Sequence, residues 1–263
     1  MDQGLSTSAS ASPAPGAAAG PVPALSISNI EVVYHHTVQA LRGLSIEVPH
    51  GKVVALLGSN GAGKTTTLKA ASGILALENG RVASGSVRFF GEDIARWAPH
   101  VLPRRGMAHV REGRHVFAEL TVDENLIAAG NALKGRGGKP LDIEAVFDYF
   151  PRLKERRNTK AGSLSGGEQQ MLTMCRSLLG NPLVILIDEP TEGLAPKIVT
   201  QVGECIQDMH RQGVAVVLVE QKLAIALKVS TRVCVMGHGH IVFEGSPEAL
   251  QGDRELLAQW LAV

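Results

Sequence analysis

The 263-residue sequence predicts an α/β fold in which a mostly parallel core sheet is joined by an antiparallel β subdomain and a helical insertion subdomain. Three patterns carry that expectation. Continuous apolar runs at Val53–Leu57, Leu183–Ile187 and Val214–Val219 are each followed by polar residues and a helical stretch, the pattern of parallel strands covered on both faces. Alternating apolar residues at Leu25 and Ile27, again at Leu44, Ile46 and Val48 ahead of Pro49-His50-Gly51, and at Val87 and Phe89 mark half-buried antiparallel strands. Met171, Met174, Cys175 and Leu178, spaced i, i+3, i+4, i+7, form one helix face closed by Gly180-Asn181-Pro182.

In chain order, residues 1–23 are mostly Ala, Ser, Pro, Gly and Thr, a composition that cannot bury enough apolar surface to offset its ordering entropy, so a disordered tail is expected there and one domain over 24–263. The first Lys or Arg is Arg42, so neither a secretory signal nor a transit peptide is expected. The stretch Leu120–Lys160 is mostly helical in pattern, is interrupted at Gly135–Gly138, and sets a helical subdomain at about 93–165. A second clear helix runs through Ile198, Val202, Cys205, Ile206 and Met209 and stops at Gly213.

Lys+Arg 26 against Asp+Glu 25 leaves a formal charge of +1, no electrostatic footprint for nucleic acid or an anionic membrane. No apolar run approaches the ~20 residues that span a bilayer. Cys175, Cys205 and Cys234 are far apart, which offers neither a disulfide framework nor a CxxC metal site and fits a reducing compartment. His35-His36 and His238-Gly239-His240 lack partners at metal-binding spacing, so no metal is expected there.

Three motifs carry chemistry. After the run 53–57 comes Gly58-Ser59-Asn60-Gly61-Ala62-Gly63-Lys64-Thr65, leading through Thr66 into a helix. Its glycines let backbone N–H groups turn toward a polyphosphate, Lys64 reaches the β and γ phosphates, and the Thr65 hydroxyl is placed for Mg²⁺. A P-loop alone leaves kinases, GTPases and ATPases open. Asp188 and Glu189 end the run 183–187, where one carboxylate can hold the Mg²⁺ shell and the next can orient a water for in-line attack. Leu164-Ser165-Gly166-Gly167-Glu168-Gln169-Gln170 precedes the helix at 171–178 and makes a second anion-binding helix start.

In this order the three motifs resemble the ATP-binding subunit of ABC transporters, from Leu25 to the C-terminus. The resemblance implies a P-loop NTPase of the ABC ATPase fold, an ATPase using ATP and Mg²⁺, and two cassettes facing head to tail. Ser165, Gly166, Gly167 and Glu168 of one would close over ATP held by the other. Tyr34 takes the place of an aromatic that stacks on adenine. Glu112 stands where the family usually has a Mg²⁺-contacting Gln, Gln221 where it has a γ-phosphate His, and Ala195 where many members carry an Asp that couples the two sites. Gln221 can still donate an amide hydrogen bond but cannot titrate near neutrality. Glu189 and Gln221 are thus the catalytic candidates, and Thr65, Glu112 and Asp188 the metal candidates.

Glu112, Gln221, Phe150–Arg157, Leu164–Met171 and Glu189–Pro196 are similar to the LivF-like branch, the second ATPase subunit of branched-chain amino acid importers. That branch implies a heterodimer with a second ABC ATPase, two integral membrane permease subunits, a periplasmic solute-binding protein and a peripheral place on the cytoplasmic face of the inner membrane. Leucine, isoleucine and valine are the implied solutes, with urea, short amides or aromatic acids served by similar ATPases. A membrane subunit would dock in a groove between the helical insertion and the core. The basic run Arg152–Lys160 is expected to be a solvated helix face, with lipid or partner contact as the alternative. A soluble ABC ATPase acting on ribosomes or DNA would usually carry two cassettes or a long coiled coil, and a small-molecule kinase would give the LSGG segment no task.

Overall fold

The computed structural model describes residues 21–133 and 141–261; the expected tail, to residue 20, and the glycine segment at 135–138 lie outside them. Among the described residues, ten strands form two sheets. The first has order β2-β1-β4-β5, from β1 (Leu25–Tyr34), β2 (Val38–Val48), β4 (Gly80–Phe89) and β5 (Glu92–Asp93), all antiparallel. His35 and His36 both have positive φ and form the tight turn between β1 and β2.

The second sheet has order β10-β9-β3-β8-β7-β6, from β3 (Val53–Gly58), β6 (Met107–Val110), β7 (Val184–Asp188), β8 (Ala215–Val219), β9 (Arg232–Gly237) and β10 (His240–Gly245). Only β10 runs antiparallel to its neighbour. Every residue of β3, β7 and β8 is buried, which is why those segments are continuous apolar runs. Leu183 lies just outside β7 and is half exposed, one residue short of the expected strand start.

Period-two alternation divides most of these side chains between two cores, with Ala55 and Leu57 of β3 in a third cluster against β9. Val54, Leu56, Val184, Leu186 and Val217 face the antiparallel sheet and α1 (Lys64–Ala71). Val53, Ile185, Ile187, Val216 and Leu218 face the other way, onto α6 (Gly166–Leu178) and α7 (Pro196–Arg211). The remaining helices are α2 (Val101–Arg105), α3 (Val122–Ala132), α4 (Ile143–Phe147), α5 (Pro151–Glu155), α8 (Leu223–Val229), α9 (Pro247–Gly252) and α10 (Arg254–Trp260). The expected subdomain at 93–165 includes β6, but β6 pairs with β7 in the core sheet, so the helical insertion proper starts beyond Val110.

The insertion is locally specified. Thr121 and Glu124 form a reciprocal capping box at the start of α3. Buried Asn125 brackets the incoming loop, accepting from Phe117 N–H at 2.9 Å and donating to the carbonyls of Phe117, Leu120 and Thr121. Each cation of the run 152–160 is ion-paired: Arg152 with Glu155 and Glu168, Lys154 with Glu144, Arg156 with Glu168, Arg157 with Asp123 and Glu144, and Lys160 with Glu119. The run is an exposed face laced to neighbouring elements. Single exposed pairs contribute only about 0–1 kcal/mol, so burial of Phe147, Phe150 and Leu153 holds the insertion to the core. Phe150→Ala is expected to cost about 3–5 kcal/mol in denaturant unfolding, whereas Leu77→Ala, at a residue 75% exposed, is expected to stay within about 0.5 kcal/mol.

Candidate functional site

The loop between β3 and α1 wraps a buried ammonium. Lys64 is 4% exposed, and its Nζ donates to the carbonyls of Gly58 at 2.8 Å and Ser59 at 3.1 Å. Gly63 caps α1 with φ 106°, and a Cβ there would fall 2.7 Å from Leu41 Cδ2, so both conformation and packing require glycine. Ala62 is buried beneath the loop, its N–H donating to Ser59 O.

Two carboxylates meet this loop from β7. Asp188, at the strand end, is 2% exposed and accepts from Thr65 Oγ1 at 3.3 Å. Glu189 leaves the strand with φ 45°, a left-handed conformation that costs a non-glycine residue about 1–3 kcal/mol and recurs at functional sites. Its Oε1 lies 3.7 Å from Lys64 Nζ, and its Oε2 accepts from Gln221 Nε2 at 2.6 Å. The loops after β3, β6, β7 and β8 thus bring Asn60, Gly61, Gly63, Lys64, Thr65 and Thr66 together with Glu112, Glu189 and Gln221 around a cleft of about 400 Å³.

Ala40, Glu192 and Glu220 were not anticipated. The first two line the cleft. Glu220 is buried behind Gln221 and accepts from Thr191 N–H and hydroxyl at 3.1 and 2.7 Å, while Lys222 Nζ donates to Thr191 O at 2.8 Å. Burial raises the Glu220 carboxyl above its ordinary value against these hydrogen bonds. An acid directly after the apolar run 214–219 was the available signal.

Gly58, Ser59, Ala62 and Asp188 adjoin the cleft without lining it, and two further expected groups, Tyr34 and the segment 165–168, also lie outside the lining. The Tyr34 ring covers Gly80, where a Cβ would fall 2.6 Å from Tyr34 Cε1. Ser165 caps α6 and forms a capping box with Glu168, whose Oε2 accepts from the Ser165 N–H and hydroxyl at 2.9 and 2.8 Å. A single chain therefore does not bring Ser165, Gly166, Gly167 and Glu168 to its own P-loop cleft.

The donor set suits a hard divalent cation held partly by a ligand: one carboxylate and one hydroxyl converge beside glycine-rich backbone, and a Cβ at Gly61 would meet open space. Among the described residues no group of three or more His, Cys, Asp or Glu forms an all-protein cage.

A second cavity, about 340 Å³, lies between the helical insertion and the core, lined by residues of α3, α6 and β6. His109 and Arg176 border it, and His109 Nε2 and Arg176 Nε are buried with no partner. Ser72 caps the C-terminal end of α1; its hydroxyl donates to Leu68 O at 2.8 Å and so accepts from His109 Nδ1 at 3.0 Å. Burial first, then the charges of Arg111 and Lys69, lower the imidazole to about 4, leaving it neutral near pH 7. The cavity has a cationic border at Arg111 and Arg176 and no carboxylate among the described residues that line it.

Residues 41–192 match the family described as ABC transporter. The chain is 43% identical over 217 residues, 82% of its length and 91% of the relative's, to the high-affinity branched-chain amino acid transport ATP-binding protein BraG of Pseudomonas aeruginosa. It is 34% identical to a probable branched-chain amino acid transport ATP-binding protein, LivF, of Archaeoglobus fulgidus, covering 78% of this chain and 84% of that one. Among solved structures, the ADP conformation of an ATP-binding cassette of an ABC transporter superposes with TM-score 0.75 at 28% identity, over 89% of this chain and 96% of that one.

Asp188 carries the pH signature of the site. Burial lifts its carboxyl to about 6 from 3.8, with the Thr65 hydrogen bond opposing and the Glu112 and Glu189 charges adding to the rise. Since the folded pKa exceeds the unfolded one, the neutral carboxyl's stabilisation is complete below about pH 4 and lost as pH rises through about 6. In thermal melts without nucleotide, Asp188→Asn is expected to match the parent near pH 4 and to melt higher above pH 6.

Proposed function

The chain belongs to the ABC transporter family, as one of its ATPases, and from that premise we propose that it powers an importer of branched-chain amino acids, leucine, isoleucine and valine, through partner membrane subunits. The observation that supports the catalytic assignment most directly is Glu189, held between Lys64 at 3.7 Å and Gln221 at 2.6 Å beside the Thr65–Asp188 pair. The role of the 43% identical Pseudomonas relative in high-affinity branched-chain amino acid transport supports the solute class.

Bound Mg-ATP supplies an electrophilic γ-phosphate and a divalent charge that offsets its oxygens. Lys64 exchanges the Gly58 and Ser59 carbonyls for phosphate oxygens, while loop N–H groups other than that of Ala62, which donates to Ser59 O, and the N-terminal end of α1 are available to the same anion. Thr65 and Asp188 would hold the cation, with Glu112 at the cleft edge as a further candidate contact. Glu189 would orient the attacking water and accept its proton as the water oxygen bonds to the γ-phosphorus and the bond to the β–γ bridging oxygen breaks, releasing ADP, while Gln221 fixes the Glu189 carboxylate and donates its amide toward phosphate. Tyr34 offers the aromatic face for adenine.

Ser165, Gly166, Gly167 and Glu168 act on the nucleotide of a facing cassette, a second ABC ATPase, which fits their distance from this chain's own cleft. No helix among the described residues is long and apolar enough to cross a membrane, and the permeation path is assigned to two integral membrane permeases fed by a periplasmic binding protein. The cavity bordered by His109 and Arg176 supports a reading in which a cytoplasmic segment of those permeases docks between the insertion and the core, with the chain peripheral on the cytoplasmic face of the inner membrane.

Lys64→Ala is expected to abolish binding of a fluorescent ATP analogue, while Glu189→Gln keeps binding and loses at least about 100-fold in phosphate release. Hydrolysis by Glu189→Gln at the parental rate overturns the assignment. Tagged Glu189→Gln chain, captured from detergent-solubilised membranes with Mg-ATP, is expected to bring multi-span membrane proteins and a second cassette. Recovery of only ribosomal or DNA-associated proteins would replace the transport reading. Solute uptake by the purified assembly then separates leucine, isoleucine and valine from urea or short amides.

A further inference from the structure

The loop after β6 presents two faces within three residues. Glu112 lines the P-loop cleft, Gly113 turns with φ 87°, His115 Nε2 returns to Glu112 O at 2.8 Å, and Val116 N–H donates to Arg114 O at 2.9 Å. Arg176 on α6 donates to the His115 carbonyl, and Asn125 on α3 brackets Phe117. Arg114 is thereby delivered to the first turn of α6. A Cβ at Gly166 would fall 2.7 Å from Arg114 Nη2, and one at Gly193 would lie 3.7 Å from the same atom. Gly166 therefore admits the guanidinium against the helix start.

Arg114 is exposed, and its guanidinium has no hydrogen bond or ion pair with any described residue. It is a full positive charge beside the positive end of a 13-residue helix, an arrangement that is repulsive until an anion joins it. The acid in that first turn does not neutralise it: Glu168 Oε2 is bound by the Ser165 N–H and hydroxyl, and Oε1 lies 3.6 and 3.8 Å from Arg152 and Arg156. A guanidinium is permanently charged and presents a planar fork of donors that matches phosphate oxygens.

We propose that Arg114 is a further phosphate-contacting residue of this ATPase, reaching the terminal phosphate of the nucleotide held by the P-loop of the facing cassette. The proposal rests on the reading that two cassettes share their nucleotides. One loop then touches both sites, Glu112 toward its own cleft and Arg114 toward the partner's. Arg114 forms and breaks no covalent bond; it supplies charge and hydrogen bonds as the two faces meet.

The test follows Mg-ATP-driven pairing of the Glu189→Gln chain, purified alone and with its co-captured second cassette, by light scattering across ATP concentrations. Adding Arg114→Ala is expected to raise the half-saturating ATP at least tenfold, Arg114→Lys to give an intermediate value, and binding of a fluorescent ATP analogue to the separate, unpaired chain to stay unchanged. Pairing by Arg114→Ala at parental or lower ATP overturns the proposal, as does weakened analogue binding to the unpaired chain, which would put Arg114 on its own nucleotide. If the Glu189→Gln chain with Arg114 intact never pairs on ATP, the shared-site reading itself fails and the proposal with it.

Discussion

A buried ammonium organises the centre of this molecule. Lys64 is almost fully removed from water, and a desolvated charge is tolerated only when its donors are satisfied and an opposite charge stands near. The loop meets that demand by folding the Gly58 and Ser59 carbonyls back onto Nζ, and β7 meets it by sending Glu189 out through a left-handed turn to within 3.7 Å. Both responses depend on neighbouring parallel strands ending at one level. The register that pairs β3 with β8, and β8 with β7, sets the P-loop, the Asp188–Glu189 pair and Gln221 around one cleft.

That constraint also explains the cost carried by the carboxylates. Asp188 is buried beside Glu112 and Glu189, and its raised pKa records first that burial and then the neighbouring negative charges, a cost that a divalent cation would relieve. Glu220 sits one layer further in, and its hydrogen bonds to Thr191 hold the segment after Glu189 against the segment that carries Gln221. Removing nucleotide contacts would thus leave a site still ordered by its own internal pairs.

The helical insertion is joined to this centre through β6. His109 links the groove to the C-terminal end of the P-loop helix through Ser72, and three residues later the same segment places Glu112 at the cleft. Contiguous packing of this kind is the physical route by which a partner seated in the groove and a nucleotide in the cleft can bias one another. The ion-paired run 152–160 stiffens the far side of the insertion, and through Arg152 and Arg156 it holds Glu168 beneath the first turn of α6.

The sequence by itself determined the α/β class, the phosphate loop, the paired acids and the helix opened by Ser165, because each rests on local chemistry: periodicity, turn residues and caps within a few positions. Continuous apolar runs revealed the buried strands since both of their faces are covered, and β6 escaped because its four residues are too short to show a period. Tertiary structure alone decided what touches what. The pairing of Glu189 with Lys64 and Gln221, the burial of Glu220 against Thr191, the Tyr34 ring over Gly80, the ion pairs that tie the basic run to other elements and the guanidinium of Arg114 over Gly166 join residues separated by 10 to 125 positions in the chain, at distances fixed by strand register and helix packing rather than by any local pattern.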